Sequence, residues 1–253
     1  MTDDFHRSIA LLIDADNASP DHIDPVLTVL AELGEVNIRR AYGNWRKPAL
    51  KGWADKTLDY AIEPYQQFDI VKGKNATDMR IVIDAMDLMF AGKVDGFGIM
   101  SSDSDFMPLA QRIRQDGLPV YGFGTERAPQ AFRAACTRFI DVGALRREEL
   151  AEDDSAGLER AMKSKGKSRA NGGGSKRKID DDLLALLVDA YNAVKRDDEG
   201  WARLSEVGQR AGNRSSFDAR NYGYSRLSDL VKDIPQFAVE TREDSQAYVK
   251  RLR

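Results

Sequence analysis

The sequence has little of what soft-metal and thiol chemistry require. It holds one cysteine, Cys136, and two histidines, His6 and His22, in 253 residues. A single cysteine cannot form an internal disulfide, which fits a reducing compartment. Isolated histidines and a lone thiol supply neither a zinc ligand set nor a Cys/His nucleophile pair. No apolar run approaches the roughly 20 residues that span a bilayer. The amino terminus, MTDDFHRSIALLIDADN, places two acids before a short apolar run, where a secretory signal would want basic residues. A soluble, cytoplasmic protein without a membrane partner is the expectation. Neither glycine-rich phosphate-binding motif follows a strand signal, and Gly73-Lys74 stands without a flanking phosphate loop, which excludes a P-loop nucleotide-binding protein.

Strong charge of one sign is also missing. Thirty-eight basic and 41 acidic side chains leave a net charge of −3, which excludes a uniformly basic nucleic-acid coat protein and an acidic disordered chain. The balance conceals a segregation. Residues 1–162 hold 19 basic and 27 acidic side chains, residues 163–178 hold 7 basic and none acidic, and residues 179–253 hold 12 and 14. The middle stretch, KSKGKSRANGGGSKRK, has no aliphatic periodicity and cannot bury enough apolar surface to offset its ordering entropy. It reads as a flexible linker, either a mere soluble tether or a mobile basic arm that adds phosphate contacts. The expected division is a domain over 1–147, a linker over 148–178 and a second domain over 179–253.

Strand and helix signals alternate through the first part. Ile9 to Ile13 is a continuous aliphatic run, as in a strand covered on both faces. Ser19-Pro20 reads as an N-cap with proline at the first helical position, and Gly34 ends that helix. Strands follow at 36–42, 60–64, 96–100, 119–123 and 139–142, with helices at 49–58, 76–90 and 106–115. Regular alternation implies an α/β fold, a mainly parallel sheet with helices on both faces in three layers.

Ligands of such sheets bind beyond the carboxyl ends of the strands. The first strand ends Asp14-Ala15-Asp16-Asn17, and the 96–100 strand runs into Ser101-Ser102-Asp103-Ser104-Asp105. Asp78 lies in the first turn of the 76–90 helix. Bland roles exist for three of the acids. Asp78 can complement a helix dipole, Asp105 can cap the helix from Phe106, and Asp16 with Asn17 can shape a turn. Asp14 and Asp103 follow buried aliphatic runs, where a carboxylate is costly unless paired or coordinated. Converging carboxylates with only oxygen donors select Mg²⁺ or Mn²⁺, and such ions can drive phosphodiester hydrolysis.

The three blocks resemble the NYN domain, the PIN-like nuclease group that includes LabA-like bacterial proteins. The matching residues are Ile13 to Asn17, Lys74 to Asp78 with Asp84-Ala85, and Ser101 to Phe106. The resemblance implies a PIN-like fold and a Mg²⁺/Mn²⁺-dependent endoribonuclease acting on single-stranded RNA. Asp14, Asp78 and Asp103 would bind metal, with Asp105 a fourth acid. Asn17 would position substrate or metal water, Ser101 would orient the cluster, and Lys74 would contact RNA. Ala15 and Ser102 stand where the family often has glycine. Related folds often pair, so a homodimer stays open.

The tail resembles an OST-HTH (LOTUS) domain, a small winged-helix-like module. Its signals are an amphipathic helix over 183–194, the block from Phe217 to Leu230, and a terminal hairpin from Phe237. The resemblance implies RNA binding, G-rich or structured. Leu227, Leu230 and Val231 read as core. Arg220, Tyr222, Tyr224 and Arg226 combine guanidinium groups with rings that stack on bases, although either tyrosine can instead pack inward with its hydroxyl outermost. Two competing accounts remain: an RNA- or protein-binding adapter with slow or no turnover, and a haloacid-dehalogenase-type phosphatase using Asp14 and Asp16. The latter wants a lysine near Asp103, and none is there.

Overall fold

The computed structural model describes residues 7–68, 76–145, 179–242 and 245–252. The chain divides into two compact units, the first ending at Gly143. Lys74 and the basic stretch 163–178 lie outside the described residues.

In the first unit the elements alternate. They are β1 (Ser8–Asp14), α1 (Ile23–Ala31), β2 (Glu35–Gly43), α2 (Trp53–Asp59), β3 (Glu63–Gln66), α3 (Ala76–Phe90), β4 (Gly96–Met100), α4 (Met107–Gln115), β5 (Val120–Gly124), α5 (Gln130–Ala135) and β6 (Arg138–Asp141). All six strands pair in parallel, in the order β3-β2-β1-β4-β5-β6. The chain winds outward from β1 to β3, and α3 carries it back to β4 on the other side of β1. The strand order therefore reverses between β1 and β4, and the crevice at their carboxyl ends is where such sheets bind ligands.

Side-chain alternation sorts the core. Ala10, Leu12, Tyr42, Phe97 and Ile99 pack with Ile81 and Ala85 of α3, Ile113 of α4 and Phe132 of α5. The opposite face carries Leu11, where Gly98 lies against Leu11 and Leu30 of α1. With both faces covered, β1 carries no polar residue between Ser8 at its start and Asp14 at its end. Asp14 has the parity of Ala10 and Leu12, so it belongs to the α3 face.

One polar network is built into that face. Asp84 of α3 is buried and accepts from the Tyr42 hydroxyl at 2.9 Å. It also meets Arg40 at 3.4 Å and Arg80 at 3.2 Å. Burial and the adjacent Asp84 carboxylate push the Tyr42 hydroxyl's pKa upward.

Three sequence expectations shift. The strand read at 60–64 is Glu63–Gln66, because Ala61 turns the chain with a positive φ and only Ile62 before the strand is buried. The helix read at 49–58 is a 3-10 turn, Pro48–Gly52, followed by α2. Helix α5 was not expected; six residues with two buried side chains, Phe132 and Ala135, carry no readable period.

The second unit holds α6 (Asp181–Asn192), β7 (Ala202–Arg203), α7 (Leu204–Arg214), α8 (Leu227–Lys232), β8 (Phe237–Thr241) and β9 (Ala247–Arg251). Its antiparallel sheet has the order β7-β9-β8. Asp180 caps α6 by accepting from the Leu183 N–H at 2.8 Å. Leu183, Leu187, Val207, Leu230, Val231 and Val249 form a core separate from that of the first unit, and Leu227 packs against it.

Replacing Asp84 by alanine strands the Tyr42 hydroxyl and two guanidinium groups. We predict that it lowers unfolding free energy by about 2–4 kcal/mol. Urea denaturation checks this, and a change under about 0.5 kcal/mol, the range of ordinary surface substitutions, would count against it.

Candidate active site

The site begins where β1 runs out. Asp14 is 1% exposed. The turn after it is fixed by its own carbonyl, which accepts from the N–H groups of Asn17 at 3.2 Å and Ala18 at 2.8 Å. Its carboxylate is held on one side. Oδ2 accepts from Asn17 Nδ2 at 2.7 Å and from the Ser101 hydroxyl at 3.0 Å. Oδ1 is buried and has no hydrogen-bond partner among the described residues. Burial raises the Asp14 pKa, and the bonds from Asn17 and Ser101 work against that rise. A buried carboxylate oxygen without a partner is the kind of polar atom that coordination to an ion explains.

Ser101 links the two strand ends. Its hydroxyl donates to Asp14 and accepts from the Asp103 backbone N–H at 3.1 Å. The turn it belongs to is pressed onto β5. A Cβ at Gly124 would sit 2.7 Å from the Ser101 carbonyl, so only glycine admits this approach. The Ser102 hydroxyl accepts from the Thr125 N–H at 2.9 Å. The serine that replaces the family's frequent glycine is thus occupied in tying the turn to the end of β5.

Asp103 opens the 3-10 turn Ser104–Phe106 that leads into α4, and its Oδ1 accepts from the Asp105 N–H at 2.9 Å. The N-cap is therefore Asp103, a correction to the reading of Asp105 as the cap. Asp78, in the first turn of α3, completes a group. Asp78, Asp103 and Asp105 each offer one carboxylate oxygen within 4.8 Å of the others. Asp78 is pushed up to about 6, first by burial and then by the charges of Asp14, Asp103, Asp105 and Asp16. Asp16 is exposed and engaged elsewhere, accepting from Thr77 Oγ1 and from Lys47 Nζ, both at 3.0 Å.

Asp14, Asn17, Asp78, Ser101, Asp103 and Asp105 thus share one edge of the sheet, with Asp14 joined to the other acids through Ser101. Sequence reasoning did not pick out Thr77, Lys47 or Thr125. Thr77 precedes Asp78 in the sequence, but nothing in the sequence pairs Lys47 with Asp16. All donors are oxygens, the set that suits Mg²⁺ or Mn²⁺. The Cys136 thiol is buried and pushed up to about 12, so it offers no thiolate.

In the second unit the four proposed RNA contacts part company. Tyr224 is a correction: it is buried in the core and its hydroxyl donates to Asp233 at 2.8 Å, so its ring is no stacking platform. Arg220 is largely buried and turned onto Asp218 at 3.3 Å. Tyr222 packs against the core beside the Phe217 ring. Arg226 is exposed at the start of α8. A set that the sequence did not single out lies on the sheet. The Arg242 guanidinium is 4.2 Å from the Tyr248 ring centre, and Lys250 Nζ is 5.8 Å from that of Trp201. Arg242 also pairs with Asp197 at 2.8 Å and Glu240 at 2.6 Å.

The raised Asp78 pKa fixes the sign of one pH effect. The folded chain holds this proton more tightly than the unfolded chain, so Asp78 opposes stability at neutral pH, and that opposition lifts progressively as pH falls through about 6 toward the ordinary carboxylate value of 3.8. We predict that Asp78→Asn raises the Tm of EDTA-treated protein at pH 7.5 and flattens its rise on mild acidification. Calorimetry at several pH values checks this; a lowered Tm at pH 7.5 would contradict the repulsion.

Residues 8–146 match the NYN domain model, and residues 174–249 match that of the OST-HTH/LOTUS domain. The uncharacterized protein MJ0482 of Methanocaldococcus jannaschii is 30% identical over 125 residues, which are 48% of this chain and 48% of that protein. The chain thus spans about half the length of this curated relative. A Vibrio parahaemolyticus protein of unknown function, VPA0982, superposes with a TM-score of 0.47 at 22% identity, over 56% of this chain and 96% of that one. Among the described residues no helix is long and apolar enough to cross a membrane. The α/β unit with its carboxylates at the β1/β4 switch is a PIN-like nuclease fold, and the chain belongs to the NYN-domain family, with an OST-HTH/LOTUS domain of the kind that binds RNA following it.

Proposed function

We propose that the protein is a Mg²⁺- or Mn²⁺-dependent cytoplasmic endoribonuclease that cuts single-stranded RNA in its NYN domain, while the OST-HTH/LOTUS domain holds the substrate. The observation that supports this most is the group of three carboxylates, Asp78, Asp103 and Asp105, together with the buried Oδ1 of Asp14, which has no hydrogen-bond partner among the described residues. Four acids in mutual electrostatic reach destabilise the empty arrangement, and a hard divalent cation relieves that repulsion. The residues therefore fit the ion.

Asp78, Asp103 and Asp105 would hold the ion, with Asp14 Oδ1 completing the donor set. When bound, the metal supplies Lewis-acid polarisation of a phosphoryl oxygen and neutralises developing charge. The chain's own residues do the rest. Ser101 and Asn17 fix the Asp14 carboxylate so that Oδ2 is taken and Oδ1 is left for coordination. The Ser101 hydroxyl, donating to Asp14 and accepting from the Asp103 N–H, ties the end of β1 to the turn after β4.

An acidic centre attracts cations but repels phosphates, so substrate affinity must come from elsewhere. In the second unit Arg226 and the Trp201, Tyr248 and Lys250 surface are the candidates. The basic segment 163–178 adds positive charge next to that unit in sequence. Tethering converts the cleavage encounter into an intramolecular one, at effective concentrations reaching mM for short linkers. The phosphatase account loses its second carboxylate, since Asp16 is bonded to Lys47 and Thr77.

We predict that Asp14→Asn and Asp103→Asn each reduce Mn²⁺-dependent cleavage of single-stranded RNA by at least about 100-fold, with fold and RNA affinity retained. Equal residual cleavage in wild type and both variants, insensitive to EDTA, would point to a contaminant and favour the adapter account. We also predict that residues 179–253 retain G-rich RNA in a gel shift at low salt, and that Arg226→Glu weakens the retention. Absence of any retention by the wild-type segment would remove this role.

A further inference from the structure

We propose that the loop Asn44–Lys47, together with Phe68, is the groove along which single-stranded RNA enters the acidic centre, with Arg46 contacting a phosphate and Phe68 stacking on a base. The inference rests on the nuclease reading for its ligand, and on separate geometry for its place.

The loop starts at the switch itself. β2 ends at Gly43, whose missing Cβ would lie 3.5 Å from Ala15 Cβ and 3.8 Å from Asp16 Cγ. It is stapled in place. Trp45 Nε1 donates to the Tyr65 carbonyl at 2.9 Å, the Trp45 N–H donates to Gln66 Oε1 at 3.1 Å, and Gln66 Nε2 donates to Asn44 Oδ1 at 3.1 Å. Lys47 reaches Asp16, which in turn accepts from Thr77, the neighbour of Asp78. Five contacts thus carry the loop from the end of β3 to the first turn of α3, without passing through the metal-holding acids.

Charge singles out Arg46. Among the described residues, Lys47 is spent on Asp16, and Arg40 and Arg80 on Asp84. Among the described residues the exposed Arg46 meets no carboxylate, and its guanidinium lies 4.8 Å from the centre of the Phe68 ring. Phe68 is 49% exposed, a large apolar ring left at the surface with a cation on it. A fixed loop presenting a guanidinium that meets no carboxylate among the described residues, beside an exposed ring, offers a single strand a phosphate contact next to a stacking surface. Lying next to a centre that repels phosphates, it supplies local attraction that the acids cannot.

The test uses the full chain, a 2′-O-methyl oligouridylate and Mg²⁺, comparing wild type, Arg46→Ala and Phe68→Ala by fluorescence anisotropy over a salt series. Arg46→Ala should weaken binding about tenfold and make the log–log salt slope shallower by about 0.7. Phe68→Ala should weaken it about fivefold or more with little change of slope. Ultraviolet cross-linking of the same oligonucleotide should label residues 44–47 or Phe68, which registers the groove even where the second unit dominates affinity. Absence of label there, with both variants within twofold of wild type, overturns the proposal. Cleavage of unmodified RNA is assayed in parallel. Wild type that cleaves while the variants match it in KM sinks the groove and leaves the nuclease reading. Wild type that binds through Arg46 without cleaving does the reverse.

Discussion

Mutual repulsion among carboxylates that the backbone forces together is the constraint on which the rest of the structure depends. A six-stranded parallel sheet in the order β3-β2-β1-β4-β5-β6 places the ends of β1 and β4 side by side. Acids at both ends must then share a small volume, with Asp14 buried and Asp78 and Asp103 half-buried. The supporting bonds read as answers to that crowding. Ser101 and Asn17 take one oxygen of Asp14, Asp103 folds back onto Asp105's N–H, and Lys47 neutralises Asp16 at the rim. What they leave over is one buried oxygen and three carboxylates in reach of a single point.

The same constraint explains a division of labour within the chain. A centre that concentrates negative charge cannot by itself hold a polyanion. In the proposed function the basic stretch 163–178, Arg46 beside Phe68 and Lys250 beside Trp201 would supply the complementary chemistry. Specific affinity can then vary through exposed side chains such as Arg226 or Arg46 without disturbing the buried acids. The glycine at 124 shows how little freedom the centre has, since the Ser101 turn rests directly on it.

Much of this was legible in the sequence, and the parts that were not share a physical reason. The aliphatic run of β1, the amphipathic period of α3 and the Ser19-Pro20 cap announce themselves because packing on both faces leaves a pattern. The acids stood out because they directly follow such runs. Strand β3 and helix α5 were misplaced or missed, as a short edge strand of Glu, Pro, Tyr and Gln and a six-residue helix bury too little to be periodic. The inward turn of Tyr224 was an even choice in the sequence; the Asp233 carboxylate that receives its hydroxyl lies nine residues away and decides it. The Lys47–Asp16 and Arg46–Phe68 pairs span 31 and 22 residues, and no local pattern encodes them.

The most direct measurement of the central claim is an anomalous difference map from crystals grown with Mn²⁺. The account predicts a peak among the carboxylates of Asp78, Asp103 and Asp105, with Asp14 Oδ1 facing it and the bonds of Ser101 and Asn17 to Oδ2 intact. A map with no peak there at saturating Mn²⁺, and with the three side chains turned apart into solvent, would contradict it.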